Sequence, residues 1–348
     1  RSAARGARPR PGAVPAGDAM LTDRFGRRID YLRLSVTDRC NLRCVYCLPM
    51  AYRGFAPPSR ILADDEILPL VGVLADLGVR HLRVTGGEPL LRPGLAGLIR
   101  RLCAVPGIRE VSLSTNGVLL ARHAAELAAA GLRRVNVSLD TLRPGRFPAI
   151  AKHGSLQAVR DGIEAALAAG LDPVKVNVVV ARGMNDDEVG DFAAWTVVAP
   201  VHVRFIELMP MGDTGFYRPD RWIGGDEILA RAGPLEPLAP RDRPAGNGPA
   251  RYWRRPRAKG TVGVISPMGC RFCDACNRIR LSAQGVLFPC LDDSRGVDLR
   301  TPLREGVGPA GIRDRILAAI ADKPERHRMI ERAADAAPSG RDMSQVGG

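Results

Sequence analysis

The chain has 348 residues, with 51 Lys and Arg against 37 Asp and Glu, a formal net charge of +14 and eight cysteines. No apolar run approaches the ~20 residues that span a bilayer; the longest, such as VKVNVVVA at 174–181, are strand-sized, which excludes a helical membrane protein. Eight cysteines in so long a chain do not make a secreted disulfide scaffold, so tight groups of them point to metals or clusters in a reducing, cytoplasmic setting.

Residues 1–19, RSAARGARPRPGAVPAGDA, read as a disordered, upstream or tag-derived extension that carries +3 of the net charge. Met20 opens MLTDRFGRR, which reads as a natural start. The basic body implies an anionic partner, and nucleotide, nucleic acid and acidic membrane all fit that balance. From about 30 to 206 one unit repeats. Strand-like segments at 31–37, 79–85, 109–115, 133–139, 174–180 and 201–207 alternate with Ala- and Leu-rich helical stretches such as 62–78 and 155–170, the second with Ser155 as its cap and Gly170 as its stop. Such alternation predicts an α/β fold on a parallel sheet, doubly wound or curled into a barrel.

The strands choose between these. A parallel strand covered on both faces reads as continuous apolar sequence. Here one parity is apolar (Leu32, Leu34, Leu82, Val84, Val135, Val137, Val174, Val176, Val203, Phe205), and the other carries Arg33, Arg83, Asn136, Ser138, Lys175, Asn177 and Arg204. A partial barrel with a polar, cationic lumen fits this pattern better than a flat sheet, although any single charge at a strand end also has the option of snorkelling to solvent. Unusual loops follow the strands on one rim: DRCNLRCVYC, GGEP at 86–89, TNG at 115–117, SLD at 138–140 and ELMPMG at 207–212. That is the end where strand-then-helix barrels place their chemistry.

Cys40, Cys44 and Cys47 form C-x3-C-x2-C, and Cys273, Cys276 and Cys290 form C-x2-C-x13-C. Three thiolates bind three irons of a four-iron, four-sulfur cluster and leave the fourth open to a small molecule. Zinc competes for thiolates but wants a fourth Cys or His nearby, and none lies between Cys47 and His81. Cys103 and Cys270 are left over: the first reads as a small buried apolar residue, and the second, three residues before Cys273, has the spacing of a ligand, although the resemblance given next implies a bystander.

The opening triplet, with Tyr46 before its last Cys, and GGEP after the next strand resemble the radical S-adenosylmethionine (SAM) superfamily. Together with RVNVSLD, GMNDDE, FCDACNRIRLSAQGVLFPCL and the closing MSQVGG, they resemble the GTP 3′,8-cyclase family within it, from about Met20 to Gly348. The resemblance implies an incomplete six-stranded (βα) TIM-type barrel over 20–207, a smaller C-terminal α+β domain over 208–340 and a functional tail over 341–348. It implies two 4Fe–4S clusters, one on each triplet and each with an open iron, the first chelating SAM and the second meeting the guanine of GTP. It places Tyr46, Gly86, Gly87, Glu88, Ser138 and Met209 at SAM, and Arg33, Arg83, Thr115, Lys175, Arg204, Arg278 and Arg280 at GTP. Gly347 and Gly348 would reach the active site as catalytic residues.

The implied activity is that of a lyase: a 5′-deoxyadenosyl radical abstracts the ribose 3′ hydrogen and yields 3′,8-cyclo-7,8-dihydro-GTP, the first step of molybdenum-cofactor biosynthesis. The implied partners are a flavodoxin- or ferredoxin-like electron donor and a downstream cyclic pyranopterin monophosphate synthase, with a homodimer left open and no membrane or nucleic acid. Two features stand apart from the pattern. His81 stands where the family usually has Lys, and 237–260 reads as a mobile Pro-, Gly- and Arg-rich loop. Two other readings are a peptide-modifying radical SAM enzyme, which generally carries more C-terminal cysteines, and a zinc- or cluster-knuckle nucleic-acid binder. The chain is 5% aromatic, with no aromatic cluster among its basic residues to serve as a stacking platform for bases.

Overall fold

The computed structural model describes residues 20–212, 214–270 and 272–334. Six parallel strands, β1 (Tyr31–Ser35), β2 (His81–Thr85), β3 (Glu110–Thr115), β4 (Arg134–Ser138), β5 (Val174–Val180) and β6 (His202–Glu207), pair in sequence order. Between them run α1 (Asp64–Asp76), α2 (Leu95–Cys103), α3 (Leu120–Ala129), α4 (Phe147–Ala151), α5 (Leu156–Ala168) and α6 (Val189–Val198). Each strand starts and stops within two residues of its sequence-based bounds. The Ser155 hydroxyl caps α5 by accepting from Ala158 N at 3.2 Å, and Gly170 turns the chain at φ +74°.

The later chain completes this sheet on both sides. After α7 (Gly225–Arg231), strands β7 (Glu236–Pro237), β8 (Arg251–Arg254) and β9 (Thr261–Ile265) extend the β6 edge, with β9 parallel to β6. Strands β10 (Arg278–Leu281), β11 (Val286–Phe288) and β12 (Val297–Asp298) extend the β1 edge, with β10 parallel to β1. The chain then continues through α8 (Arg300–Arg304), α9 (Pro309–Ala321) and α10 (Met329–Ala334). The result is one twelve-stranded sheet in the order β12-β11-β10-β1-β2-β3-β4-β5-β6-β9-β8-β7. Both edges of the six-stranded unit are therefore paired, which removes the exposed donors and acceptors of an open edge.

The apolar parity packs against the helices. Leu32, Leu34, Leu82, Val84, Val135, Val137, Val174, Val176, Val203 and Phe205 are all fully buried in one core with Ile67, Leu70 and Leu74 of α1 and Leu98 and Ile99 of α2. The polar parity faces inward. Because parallel register partners point to the same face, Arg280, Arg33, Arg83, Ser112 and Arg134 form one row across five adjacent strands. Lys175 pairs with Asn136, and Asn177 with Arg204, continuing the polar lining around the curve. Among the described residues, no helix is long and apolar enough to cross a membrane.

Candidate active site

A cavity of about 320 Å³ opens at the C-terminal ends of the strands, and both cysteine triplets stand in its wall. Cys40, Cys44 and Cys47 lie on the loop after β1, while Cys273, Cys276 and Cys290 flank β10 and β11. Tyr46, Gly86, Gly87, Ser138, Met209, Arg33, Arg83, Thr115, Arg204, Arg278 and Arg280 of the expected set stand along the same wall, and Glu88 and Lys175 do not. Residues as distant in sequence as Arg33 and Cys290 are thereby brought to one space.

The first cysteine loop is held by backbone contacts with the GGEP turn. Gly87 N donates to Thr37 O at 2.8 Å, and Glu88 N donates to Arg39 O at 2.7 Å. A Cβ at Gly87 would sit 2.3 Å from Arg39 O, so only glycine allows this approach. Asn116 Nδ2 stands 3.9 Å from Cys40 Sγ and donates to Asn41 Oδ1 at 2.7 Å, adding a side-chain brace from the turn after β3. Burial raises the Cys40 and Cys44 thiols, and at Cys44 the Asp140 carboxylate and, after it, the Cys47 and Cys40 sulfurs add to the rise. That mutual influence and the all-thiol donor set fit a cluster, whose binding takes the protons off the thiols. Among the described residues, no three His, Cys, Asp or Glu side chains surround a single ion position.

Two expected contacts point elsewhere. Glu88 is fully buried behind the wall, where it accepts from Thr115 Oγ1 at 2.7 Å, Asn116 N at 2.6 Å and Leu90 N at 3.0 Å. Burial pushes its carboxyl up to about 7. Its role in the structure is to tie the GGEP turn to the TNG turn, which leaves the Gly86–Gly87 backbone as the part of that motif on the cavity. Thr115 has already given its hydroxyl to Glu88, and Ser114, on the same parity as Ser112, is the freer hydroxyl of β3 in the wall.

Lys175 is buried but lies behind the lining. It donates to the carbonyls of Pro244 and Ala245, and Arg134 Nη1 reaches the same Ala245 oxygen at 3.0 Å. Of the 237–260 segment, expected to be a mobile loop, residues 244–245 thus dock on Lys175 and Arg134, while Arg251–Arg254 form strand β8. His81 is not part of the lining. Its Nδ1 stands 4.0 Å from Glu110 Oε2, and burial lowers its pKa. Gly347 and Gly348, like residues 1–19, lie outside the described residues.

The electrostatics of the cavity are one-sided. Burial, with Arg204, Arg134 and Arg83 adding to it, lowers Lys175 to about 6. Burial lowers Arg33 to about 10, with Arg83, Arg278 and Arg204 pulling the same way and Tyr31 opposing. Arg204 and Arg280 are also lowered, burial again being the main cause. Tyr31, a lining residue that motif reasoning passed over, accepts from Arg83 Nε at 2.9 Å; burial raises its phenol, but the surrounding arginines outweigh that and leave it at about 8. Like charges in register are destabilising, and an anion within reach would relieve them.

Further contacts leave no trace in the motifs. Tyr46 donates to Asp140 Oδ2 at 2.6 Å, and Asp140 is itself raised to about 6 by burial. Buried Arg27 donates to Cys273 O at 3.0 Å and to the carbonyls of Glu325 and Pro324 at 2.6 and 2.7 Å. Glu207 fixes the turn before the second triplet by accepting from Met268 N and Gly269 N, each at 2.8 Å. At that triplet, burial alone would raise the Cys276 thiol, but Arg278 and Lys323 bring it down to about 7. Arg278 also lies over the Phe272 ring at 4.9 Å.

Residues 34–196 match the Radical SAM superfamily, and residues 201–329 match Molybdenum Cofactor Synthesis C. A GTP 3′,8-cyclase of Pelotomaculum thermopropionicum is 50% identical over 94% of this chain and 100% of its own length. The chain belongs to the GTP 3′,8-cyclase family of radical SAM enzymes. Other members are 47% identical in Heliobacterium modesticaldum, over 94% of this chain and 100% of that protein, and 42% identical in Listeria monocytogenes, over 94% and 99%. Streptococcus suis SuiB, solved with S-adenosylmethionine, shares the fold at a TM-score of 0.57 and 14% identity, over 91% of this chain and 77% of that one. Membership in the radical SAM superfamily implies one 4Fe–4S cluster and SAM.

Proposed function

We propose that this chain converts GTP to 3′,8-cyclo-7,8-dihydro-GTP, the first step of molybdenum-cofactor biosynthesis. The observation that carries this reading is the shared cavity, with two cysteine triplets at its rim and a row of buried cations, Arg280, Arg33 and Arg83, in its wall. Cys40, Cys44 and Cys47 would hold the cluster that binds SAM. Cys273, Cys276 and Cys290 would hold a second 4Fe–4S cluster. When bound, the first cluster and SAM would supply one-electron radical chemistry for hydrogen abstraction from the ribose.

The protein's own part is positioning. Tyr46, anchored by Asp140, offers a fixed aromatic surface for the adenine, and the Gly86–Gly87 backbone lies open for the methionyl amine, with Ser138 and Met209 beside it. Arg33, Arg83, Arg204, Arg278 and Arg280 supply charge-assisted hydrogen bonds to the triphosphate, and Lys175 and Thr115 stand behind them. Clamping base and phosphates together holds C3′ between the radical source and C8, which is where rate is gained. Burial of the cations strengthens each such contact. An electron donor of the flavodoxin or ferredoxin type would supply the electrons, and a synthase acting on the product would follow.

Anaerobic turnover of the reconstituted chain with SAM, reductant and GTP, ATP or no nucleotide tests the proposal. Release of 5′-deoxyadenosine with GTP alone is expected. Equal release in all three reactions, with the nucleotide unchanged, would overturn the substrate assignment.

A further inference from the structure

Lys323 follows α9 and is 1% exposed. Its Nζ donates to Arg278 O at 2.9 Å and to the carbonyl of Pro289, and it stands 3.8 Å from Cys276 Sγ. An ammonium has three N–H donors, and three acceptors stand around this one. Taking an ammonium out of water costs several kcal/mol unless its partners are well placed, and an unbranched apolar side chain would fill the same space without that cost. Placement explains what the charge does here. Arg278 lies two residues after Cys276 and Pro289 immediately precedes Cys290, so a single ammonium joins the two segments that carry these cysteines.

The segment bearing Lys323 is itself fixed. Arg27 holds the carbonyls of Pro324 and Glu325, and His327 Nε2 lies 2.9 Å from Pro267 O. The ammonium is therefore presented to Cys276 from a rigid support that also reaches the turn before Cys273.

We propose that Lys323 is a positioning residue of the second cluster: it sets the spacing of Cys276 and Cys290, and its N–H on the Cys276 sulfur raises that cluster's reduction potential. This rests on the reading that Cys273, Cys276 and Cys290 hold a 4Fe–4S cluster. Hydrogen bonds and positive charge at a ligand sulfur stabilise the reduced cluster, as do other contacts made to the ligands rather than to the metal.

The test uses the full chain with Cys40, Cys44 and Cys47 changed to Ala, so that any iron signal comes from the second triplet. In this background Lys323→Met lowers the midpoint potential so that the reduced fraction at a fixed poise falls about tenfold, equivalent to ~59 mV for one electron. Lys323→Gln, which keeps an N–H but no charge, falls between. Loss of the cluster from Lys323→Met, with the first cluster retained when its own cysteines are restored, equally supports the spacing role. Because a variant that fails to fold would say nothing, the unsubstituted Lys323 is also read directly. Protein labelled with ¹⁵N-lysine shows a nitrogen coupling in pulsed EPR of the reduced second cluster. A cluster of unchanged potential in Lys323→Met, with no ¹⁵N coupling, overturns the proposal and leaves the second cluster standing. Absence of any cluster on the second triplet overturns the reading beneath it as well.

Discussion

Tyr46 donates its hydroxyl to Asp140 Oδ2 at 2.6 Å, a contact that joins the cysteine loop after β1 to the SLD turn after β4. Asp140 Oδ1 meanwhile accepts from Val179 N at 2.8 Å, so one buried carboxylate fixes the ring from the sheet side. A hydrogen bond to a charged partner contributes about 1.5–3 kcal/mol. Asp140→Ala is expected to weaken SAM binding about tenfold or more, with the iron content of the first triplet retained. Equilibrium binding of SAM to the reconstituted variant checks this.

Glu88 offers a stability prediction. Its carboxyl is raised from 4.5 to about 7, chiefly by burial, so the folded chain holds this proton where the unfolded chain has released it. The associated stability is fully present below pH 4.5 and is lost as pH rises through about 7. The slope approaches ~1.4 kcal/mol per pH unit inside that window. Thermal unfolding of cluster-free wild type and Glu88→Gln from pH 5 to 7 should show a flatter pH dependence in the variant, and the difference between the two isolates this group from the thiols.

Lys175 is lowered from 10.5 to about 6, mainly by burial, so it is largely neutral at pH 8 without ligand. An anion placed over the cationic end restores its proton. GTP binding at pH 8 is therefore expected to take up a proton, and affinity should fall as pH rises above about 6. Calorimetry in buffers of different ionisation enthalpy reads the uptake. Lys175→Met should abolish the uptake and weaken GTP binding about tenfold.

Gly87→Ala should displace the cysteine loop, because the new Cβ would lie 2.3 Å from Arg39 O and 2.6 Å from Asp38 O. Both are backbone atoms of the cysteine loop, so no flexible side chain is there to yield. The expected outcome is loss of iron from Cys40, Cys44 and Cys47, with the iron content of Cys273, Cys276 and Cys290 unchanged, read by iron analysis and EPR.

Arg33→Met separates stability from function. Arg33 is in register with Arg83 on one side and Arg280 on the other, and removing it relieves repulsion among buried cations. Thermal stability of the cluster-free chain should hold or rise, while GTP affinity falls at least tenfold.

Much of this was legible in the sequence for definite physical reasons. Alternation with period two separated Leu32 and Leu34 from Arg33, and that parity alone predicted a cationic interior. The cysteine spacings were legible because a metal or cluster site needs several thiols in a short loop. The same parity rule separates Ser114 from Thr115, whose hydroxyl belongs to Glu88. Other contacts left no local trace. Arg27 reaches carbonyls 246 to 298 positions away, and carbonyl acceptors are the same in every residue. Lys323 likewise reads in sequence as one more surface cation after a helix. The 244–245 segment was recognisable as a loop, but its docking on Lys175 and Arg134 depends on the curvature of the sheet, which no local pattern encodes.

The central claim is that one cavity brings the radical source to the ribose of GTP. Turnover of 3′-deuterated GTP by the doubly loaded chain, with mass analysis of the 5′-deoxyadenosine released, tests it most directly. Deuterium in the deoxyadenosine, matched by its loss from a cyclised nucleotide, is the predicted result. Unlabelled deoxyadenosine with intact deuterated GTP would contradict the account.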